Sequence, residues 1–379
     1  MQYNSVNWDT ISTKDMPVRS LAFDRNNTLY AGVSGDIGRL ILSGAGKIKF
    51  QSLKQLIPQR HRDFADVWKT LIDKNNTIFF QTNEKLFVLK NNSITVVLPE
   101  NDKIQNIFLV GNTIFLNLSQ KGLCKLNNNV IQPVEGGEFF SGERIYGIVE
   151  DKDSLLVLTR NSGFYKIHPA LNLKTNPPTP FKTDIDALIS EYPVYNLLRF
   201  DGDQLSVGTL GGGIFILNEK GNLLKRIGKE EGLNDAMVFN QFVDQHKNLW
   251  LSTGIGLSRL EITSPLTLFN ERGSLLGTVN AVARYKSKIF AATSLGLFSL
   301  ETVVSENKNL VHAGFKKING ITTECWSLTV FKDRLLIGTT QGLYEYTDSK
   351  PVKIDEGSFN IVQVSQFDRI VFLQEAPEF

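Results

Sequence analysis

One stretch, VFNQFVDQHKNLWLSTGIGLSRL from Val238, returns in variant form along the whole chain, and no other feature constrains the fold as tightly. Its relatives are VRSLAFDRNNTLYAGVSGDIGRL from Val18, VWKTLIDKNNTIFFQTNEKLFVL from Val67, IQNIFLVGNTIFLNLSQKGLCKL from Ile104 and IYGIVEDKDSLLVLTRNSGFYKI from Ile145. VYNLLRFDGDQLSVGTLGGGIFIL follows from Val194, VNAVARYKSKIFAATSLGLFSL from Val279 and CWSLTVFKDRLLIGTTQGLYEY from Cys325. A ninth copy, IVQVSQFDRIVFLQ from Ile361, holds only the first two runs. Successive copies start 36 to 49 residues apart. A period of that length built from short strands is the spacing of propeller blades.

Each copy carries the same local physics. The first run alternates apolar and polar residues and is rich in Val, Ile, Leu and aromatics, which suits a half-buried strand. A turn of Asp, Asn, Lys and Gly follows, as in Asp24-Arg25-Asn26-Asn27, Asp73-Lys74-Asn75-Asn76 and Gln245-His246-Lys247-Asn248; such side chains bond their own backbone in tight turns. The second run closes on Thr82, Thr159, Thr209, Thr253, Thr293 or Thr339. A glycine then opens a third strand, except in the second copy, where Lys85 stands. A weaker fourth strand is expected at 47–53 (KIKFQSL) and 266–269 (LTLF), and short helices between repeats at 52–64 and 184–191. Helical periodicity is otherwise almost absent, so the expected fold is all-β: a propeller of four-stranded antiparallel blades. Eight full repeats and one composite closing blade give seven to nine blades in a single domain, 1–379. Closure is expected from pairing of residues 1–12 with 361–374, since each terminus carries part of one repeat.

Composition narrows the function classes. Of 379 residues, 41% are hydrophobic and 21% charged, and the net charge of +2 comes from interleaved signs, so wholesale disorder and a nucleic-acid partner are not expected. MQYNSVNWDT has neither the basic region nor the apolar core of a signal peptide, and no run approaches the length of a membrane span. No membrane contact by this chain itself is expected. Cys124 and Cys325 form no CxxC pair and read as small buried hydrophobes. The four histidines are scattered, without zinc-site spacing.

The run EGLNDAMVFNQFVDQHKNLWLSTGIGLSRLEITSPLTLF (231–269) resembles the two-component regulator propeller repeat, found in the sensor region of bacterial membrane signalling proteins. The matching positions are Gly232-Leu233, Asp244, Leu249-Trp250, Thr253 and Gly256 to Arg259. The copies FAATSLGLFSL and LLIGTTQGLYEY fit more loosely, and the resemblance is strong over about 190–346 and weak before 150. It implies a non-catalytic sensor module of a bacterial signal-transduction system, placed in the periplasm. The cytoplasm stays open, as no export signal is seen.

No catalytic constellation stands out: there is no G-x-S-x-G, no H-E-x-x-H and no Ser/His/Asp set. The tract TLGGGIF (209–215) leads into strand residues where a phosphate loop would need a helix, and reads as a turn. Asp151/Asp153 and Asp201/Asp203 sit in repeat turns, where solvation is the ordinary reading and a calcium site the sharper one. No metal or cofactor is expected. Trp250 is expected to be buried between blades, so that Trp250→Ala costs about 3–5 kcal/mol. The second residue of each first strand is the best binding candidate: Arg19, Trp68, Gln105, Tyr146, Tyr195, Phe239, Asn280 and Trp326, with Val362 in the ninth copy. Equivalent positions of a propeller are related by rotation, so these side chains would gather at one end of the channel. Aromatic faces and amides suit a small polar ligand such as a carbohydrate, or a partner protein domain. Packing between blades would explain the same residues. A propeller enzyme, hydrolase or lyase, with a site on the central channel is the alternative function, and a protein-interaction scaffold is a third.

Overall fold

Hydroxyls and carboxylates at the turns fix the repeat, and the computed structural model shows how. It describes all residues except 1, 4–7, 14–15, 43–46, 169, 201, 263–268, 270–273, 305–310, 348, 365–370 and 376–379. In three copies the turn Asp folds the chain back on itself. Asp24 Oδ1 accepts the N–H groups of Asn26 and Thr28, Asp73 Oδ1 those of Asn75 and Thr77, and Asp244 Oδ1 those of His246 and Asn248. The third or fourth residue of each turn, Asn27, Asn76 or Lys247, then takes a left-handed φ of 57° to 62°, a conformation Asn adopts readily.

The threonine that closes strand two has one role in all six copies. Its hydroxyl donates to the carbonyl of the residue that opens strand three, at 2.8 to 3.1 Å: Thr82 to Lys85, Thr159 to Gly163, Thr209 to Gly213, Thr253 to Gly256, Thr293 to Gly296, Thr339 to Gly342. The TLGGGIF tract is accordingly a hairpin turn entering the strand Ile214–Leu217.

The chain forms two compact units, residues 1–224 with 237–243, and residues 225–236 with 244–379. In the first unit, four antiparallel four-stranded sheets follow in sequence. Blade 1 is Val18–Phe23, Leu29–Val33, Asp36–Leu42 and Ile48–Ser52; blade 2 is Lys69–Ile72, Ile78–Gln81, Leu86–Lys90 and Ser93–Val97. Blade 3 is Ile104–Val110, Thr113–Leu118, Gly122–Asn127 and Val130–Pro133; blade 4 is Ile145–Asp151, Ser154–Thr159, Gly163–Ile167 and Thr179–Phe181. Three strands of a fifth repeat, Val194–Phe200, Gln204–Thr209 and Ile214–Leu217, and one of a sixth, Val238–Val243, complete it. The first strands of successive repeats lie side by side. The second unit contains the hairpin Leu249–Thr253/Gly256–Leu260 and two further four-stranded blades. Blade 7 is Val279–Tyr285, Lys288–Thr293, Gly296–Val304 and Val311–Lys317; blade 8 is Cys325–Phe331, Arg334–Thr339, Gly342–Thr347 and Lys350–Asp355. The hairpin Phe359–Val364/Val371–Glu375 follows. The chain is an all-β propeller in class.

A four-stranded blade is too thin to bury both faces, so the core lies between blades. Tyr30 and Ile37 of blade 1 pack with Phe80 and Phe87 of blade 2. Phe79 and Leu86 of blade 2 pack with Leu116 and Cys124 of blade 3. In the second unit, Phe290 and Leu297 of blade 7 meet Leu335 and Ile337 of blade 8. Each fully buried Phe contributes about 2–3 kcal/mol of apolar burial. Both cysteines are free and buried, and burial pushes the Cys124 thiol up to about 11 and that of Cys325 to about 12.

Between repeats, 52–64 forms two single 3-10 turns, Lys54–Leu56 and Gln59–His61, because Pro58 interrupts the run. At 184–191 a short α-helix, Asp186–Glu191, forms as expected. The strand foreseen at 266–269 and the pairing foreseen between 1–12 and 361–374 fall in part outside the described residues. Trp250 departs from expectation. It is half-buried, its indole N–H donates to Asp244 Oδ2 at 2.9 Å, and the Arg259 guanidinium lies 5.9 Å from its ring centre. It braces its own turn and is not a fully buried wedge.

Candidate functional site

In six repeats the second residue of the first strand is a β-bulge, whereas Trp68 immediately precedes the first strand of blade 2. In blade 1, Val18 pairs with Val33 and Ser20 with Gly32, leaving Arg19 without a partner in the ladder. The same skip leaves out Gln105, Tyr146, Tyr195, Asn280 and Trp326. A bulged residue is re-aimed away from the sheet's alternation, so this column projects at one end of the first strands. In the ninth copy the pairs Phe359–Glu375 and Ile361–Gln374 leave out Asn360. The equivalent position is therefore Asn360, and Val362, which pairs with Leu373, is not.

In the first unit these residues meet across blades. The Arg19 guanidinium lies 5.2 Å from the Trp68 ring centre and pairs with Asp66 at 3.1 Å. Asp66 is held below the ordinary carboxylate range, first by the Ser34 hydroxyl and then by Arg19. Further along, Tyr146 and Tyr195 stand 5.3 Å apart with planes tilted by 32°, and Tyr195 meets Phe239 edge-on at 5.7 Å. Arg144, immediately before the blade 4 strand, lies 5.5 Å from the Tyr146 ring and donates to the Gln105 carbonyl at 3.5 Å. Trp68 is 45% exposed and Phe239 41%, whereas Tyr146 is 8% exposed and stacks as the base of the strip. Among the described residues, the Gln105 side-chain oxygen is buried with no hydrogen-bond partner.

In the second unit the column behaves differently. Asn280 donates to the Cys325 carbonyl at 2.9 Å and to Glu324 at 3.2 Å, so its amide ties blade 7 to blade 8 beside the half-buried Trp326.

Such ties are the feature that reading the sequence missed. The residue after the bulge reaches the next blade's first carbonyl. Ser20 donates to Val67 at 2.8 Å, Asn106 to Ile145 at 3.2 Å and Asn196 to Val238 at 3.1 Å. Gln81 does the same from a second strand, donating to Ile104 at 3.1 Å. A small polar residue two places after the opening Val or Ile in several copies, as at Ser20, Asn106 and Asn196, was the available signal. Elsewhere the acidic turn at Asp151 is occupied by Lys166 at 2.8 Å and Arg199 at 3.2 Å, and these cations hold its carboxyl below the usual range. Among the described residues, no group of three or more His, Cys, Asp or Glu is placed to hold a metal ion, and no helix is long and apolar enough to cross a membrane.

The blades and the bulge column define a propeller with an aromatic and cationic strip on its first strands. No protein-family model matches the chain, and no curated protein does. Among solved structures it is similar to the extracellular domain of BT4673 from B. thetaiotaomicron, described as a one component system: 16% identity over 96% of this chain and 51% of that one, TM-score 0.34. It is also similar to the extracellular domain of BT3049 from the same organism, described as a hybrid two component system: 14% identity, 94% and 55%, TM-score 0.34. A third is virginiamycin B lyase from Staphylococcus aureus, at 13% identity, 86% and 93%, TM-score 0.49. The chain thus spans about half the length of the first two.

Proposed function

We propose that this chain is a non-catalytic recognition propeller, the sensing part of a bacterial signal-transduction system, working outside the cytoplasmic membrane. Its ligand is a small polar molecule of the carbohydrate class. The sensor reading is supported by the resemblance of 231–269 to the two-component regulator propeller repeat. The ligand reading is carried by one observation: Tyr146, Tyr195 and Phe239, from three consecutive repeats, form a continuous aromatic strip flanked by Arg144. Ring faces stack on the apolar faces of sugars, and the adjacent guanidinium supplies hydrogen-bond donors.

The test is calorimetric titration with a panel of neutral oligosaccharides, repeated on Phe239→Ala. Phe239 is exposed, so its loss should leave the melting temperature within a few degrees and weaken binding at least tenfold. A panel without saturable binding, or a variant that binds as tightly as the parent, would overturn the ligand reading.

A further inference from the structure

The first two strands of blades 2 and 3, which form the seam between them, read KTLI, IFFQ, IQNIFLV and TIFLNL. Among these residues Lys69 alone is ionisable. It stands one place after Trp68, where other blades carry Ser20, Asn106 or Asn196. Lys69 is half-buried, and its ammonium is engaged from blade 3. Nζ donates to Asn106 Oδ1 at 2.9 Å and lies 4.3 Å from the Phe108 ring centre. Across the ladder Lys69 pairs with fully buried Gln81, whose Oε1 finds no hydrogen-bond partner among the described residues. Among the described residues, no carboxylate forms an ion pair with Lys69. The nearest acid along the strand, Asp66, is engaged by Arg19 and Ser34, and Lys90 and Lys125 lie on third strands.

We propose that Lys69 is a positioning residue for the candidate site: a proton-dependent latch across the blade 2–blade 3 seam that sets the placement of Trp68 and Gln105. The inference rests on the ligand reading above only for its consequence in binding. Both site residues adjoin the latch directly, Trp68 next to Lys69 and Gln105 next to Asn106. An ammonium brings three N–H donors and the attraction of the Phe108 ring, against the cost of a charge in an apolar seam. A neutral amine removes that cost and keeps two donors. Desolvation brings the Lys69 ammonium down to about 7 from its ordinary 10.5, so the two forms exchange near neutrality.

The linkage has a definite sign. The unfolded chain holds the Lys69 proton up to about 10.5 and the folded chain only to about 7, so this group makes stability rise with pH across that window and leaves it flat below. Lys69→Met, nearly the same shape without the amine, should abolish this rise in melting temperature. Tryptophan fluorescence of the wild type should titrate with a midpoint near 7, and the step should vanish in Lys69→Met and in Trp68→Phe. Lys69→Gln, which keeps a donor, should hold the Trp68 emission constant across pH. Once a saccharide ligand is found, wild-type affinity should change at least threefold between pH 6 and 8, and that of Lys69→Met should not. Matching melting and fluorescence profiles for wild type and Lys69→Met would overturn the latch even if a ligand binds. A fluorescence step confined to the wild type upholds it even if no saccharide binds, in which case only the ligand reading falls.

Discussion

Gly147 sets how closely blade 4 approaches the fifth repeat, and Gly147→Ala tests that spacing. A Cβ at Gly147 would stand 2.2 Å from Leu197 Cβ, 2.8 Å from its Cδ2 and 3.0 Å from its Cγ. Ordinary carbon contacts are about 3.5–4.0 Å, so the strands Ile145–Asp151 and Val194–Phe200 must part by more than about 1 Å. The closest atom is a Cβ fixed to the backbone, and no change of rotamer relieves the contact. Overpacking of this kind costs about 1–3 kcal/mol, and the upper end applies here. Replacing a strand glycine returns about 0.5–1 kcal/mol, leaving a net loss of about 2 kcal/mol. For a unit of this size that is roughly 4–8 °C in melting temperature, read by circular dichroism or calorimetry. Leu197→Ala keeps the offending Cβ, so Gly147→Ala/Leu197→Ala should not recover, whereas Gly147→Ala/Leu197→Gly should recover part of the loss. The same separation would pull Tyr146 from Tyr195 and weaken ligand binding. A Gly147→Ala protein that melts at or above the wild-type temperature would refute the close approach.

Thr339 is fully buried, donates to Gly342 at 2.8 Å and accepts from the Gln341 N–H at 3.1 Å; Thr339→Val should cost about 1–3 kcal/mol in chemical denaturation, and Thr339→Ser distinctly less. Asp244 is held well below the ordinary carboxylate range by the Trp250 indole N–H and by the turn N–H groups. Its folded value is depressed, so its contribution is present above about pH 4 and lost as pH falls further. The melting-temperature gap between wild type and Asp244→Asn should therefore narrow steadily below pH 4, and a gap independent of pH would exclude this role.

Strand order and hairpin chemistry were legible because both are local. Alternation marks the first strand, and a threonine hydroxyl bonds a carbonyl only three or four residues on, as Thr82 does to Lys85 even without the usual glycine. The candidate column was legible as an aligned position, yet its environments were not. Whether an amide is spent on the next blade, as at Asn280, which reaches a carbonyl 45 residues away, depends on neighbours far along the chain. The ninth copy slipped by two because FNIVQV supports two alternating registers, and only the pairing with Val371–Glu375 selects one. Lys69 gave no local sign either: a lone lysine in a first strand looks solvent-facing until the next blade is laid against it.

Where the first strand opens on a bulge, as at Arg19, Gln105, Tyr146, Tyr195, Asn280 and Trp326, the bulged residue has no cross-strand partner in the ladder. A substitution there leaves strand register, turn chemistry and the buried hydroxyls untouched. On the proposed function, upkeep of the framework and choice of ligand are thus written in different letters of the same repeat. On that same function, a lineage carrying this repeat can exchange Arg19 or Tyr195 for other side chains without touching the ladder pairs on either side, and so retune recognition by drift at single codons. Gene duplication of a blade would add a new slot together with its own scaffold.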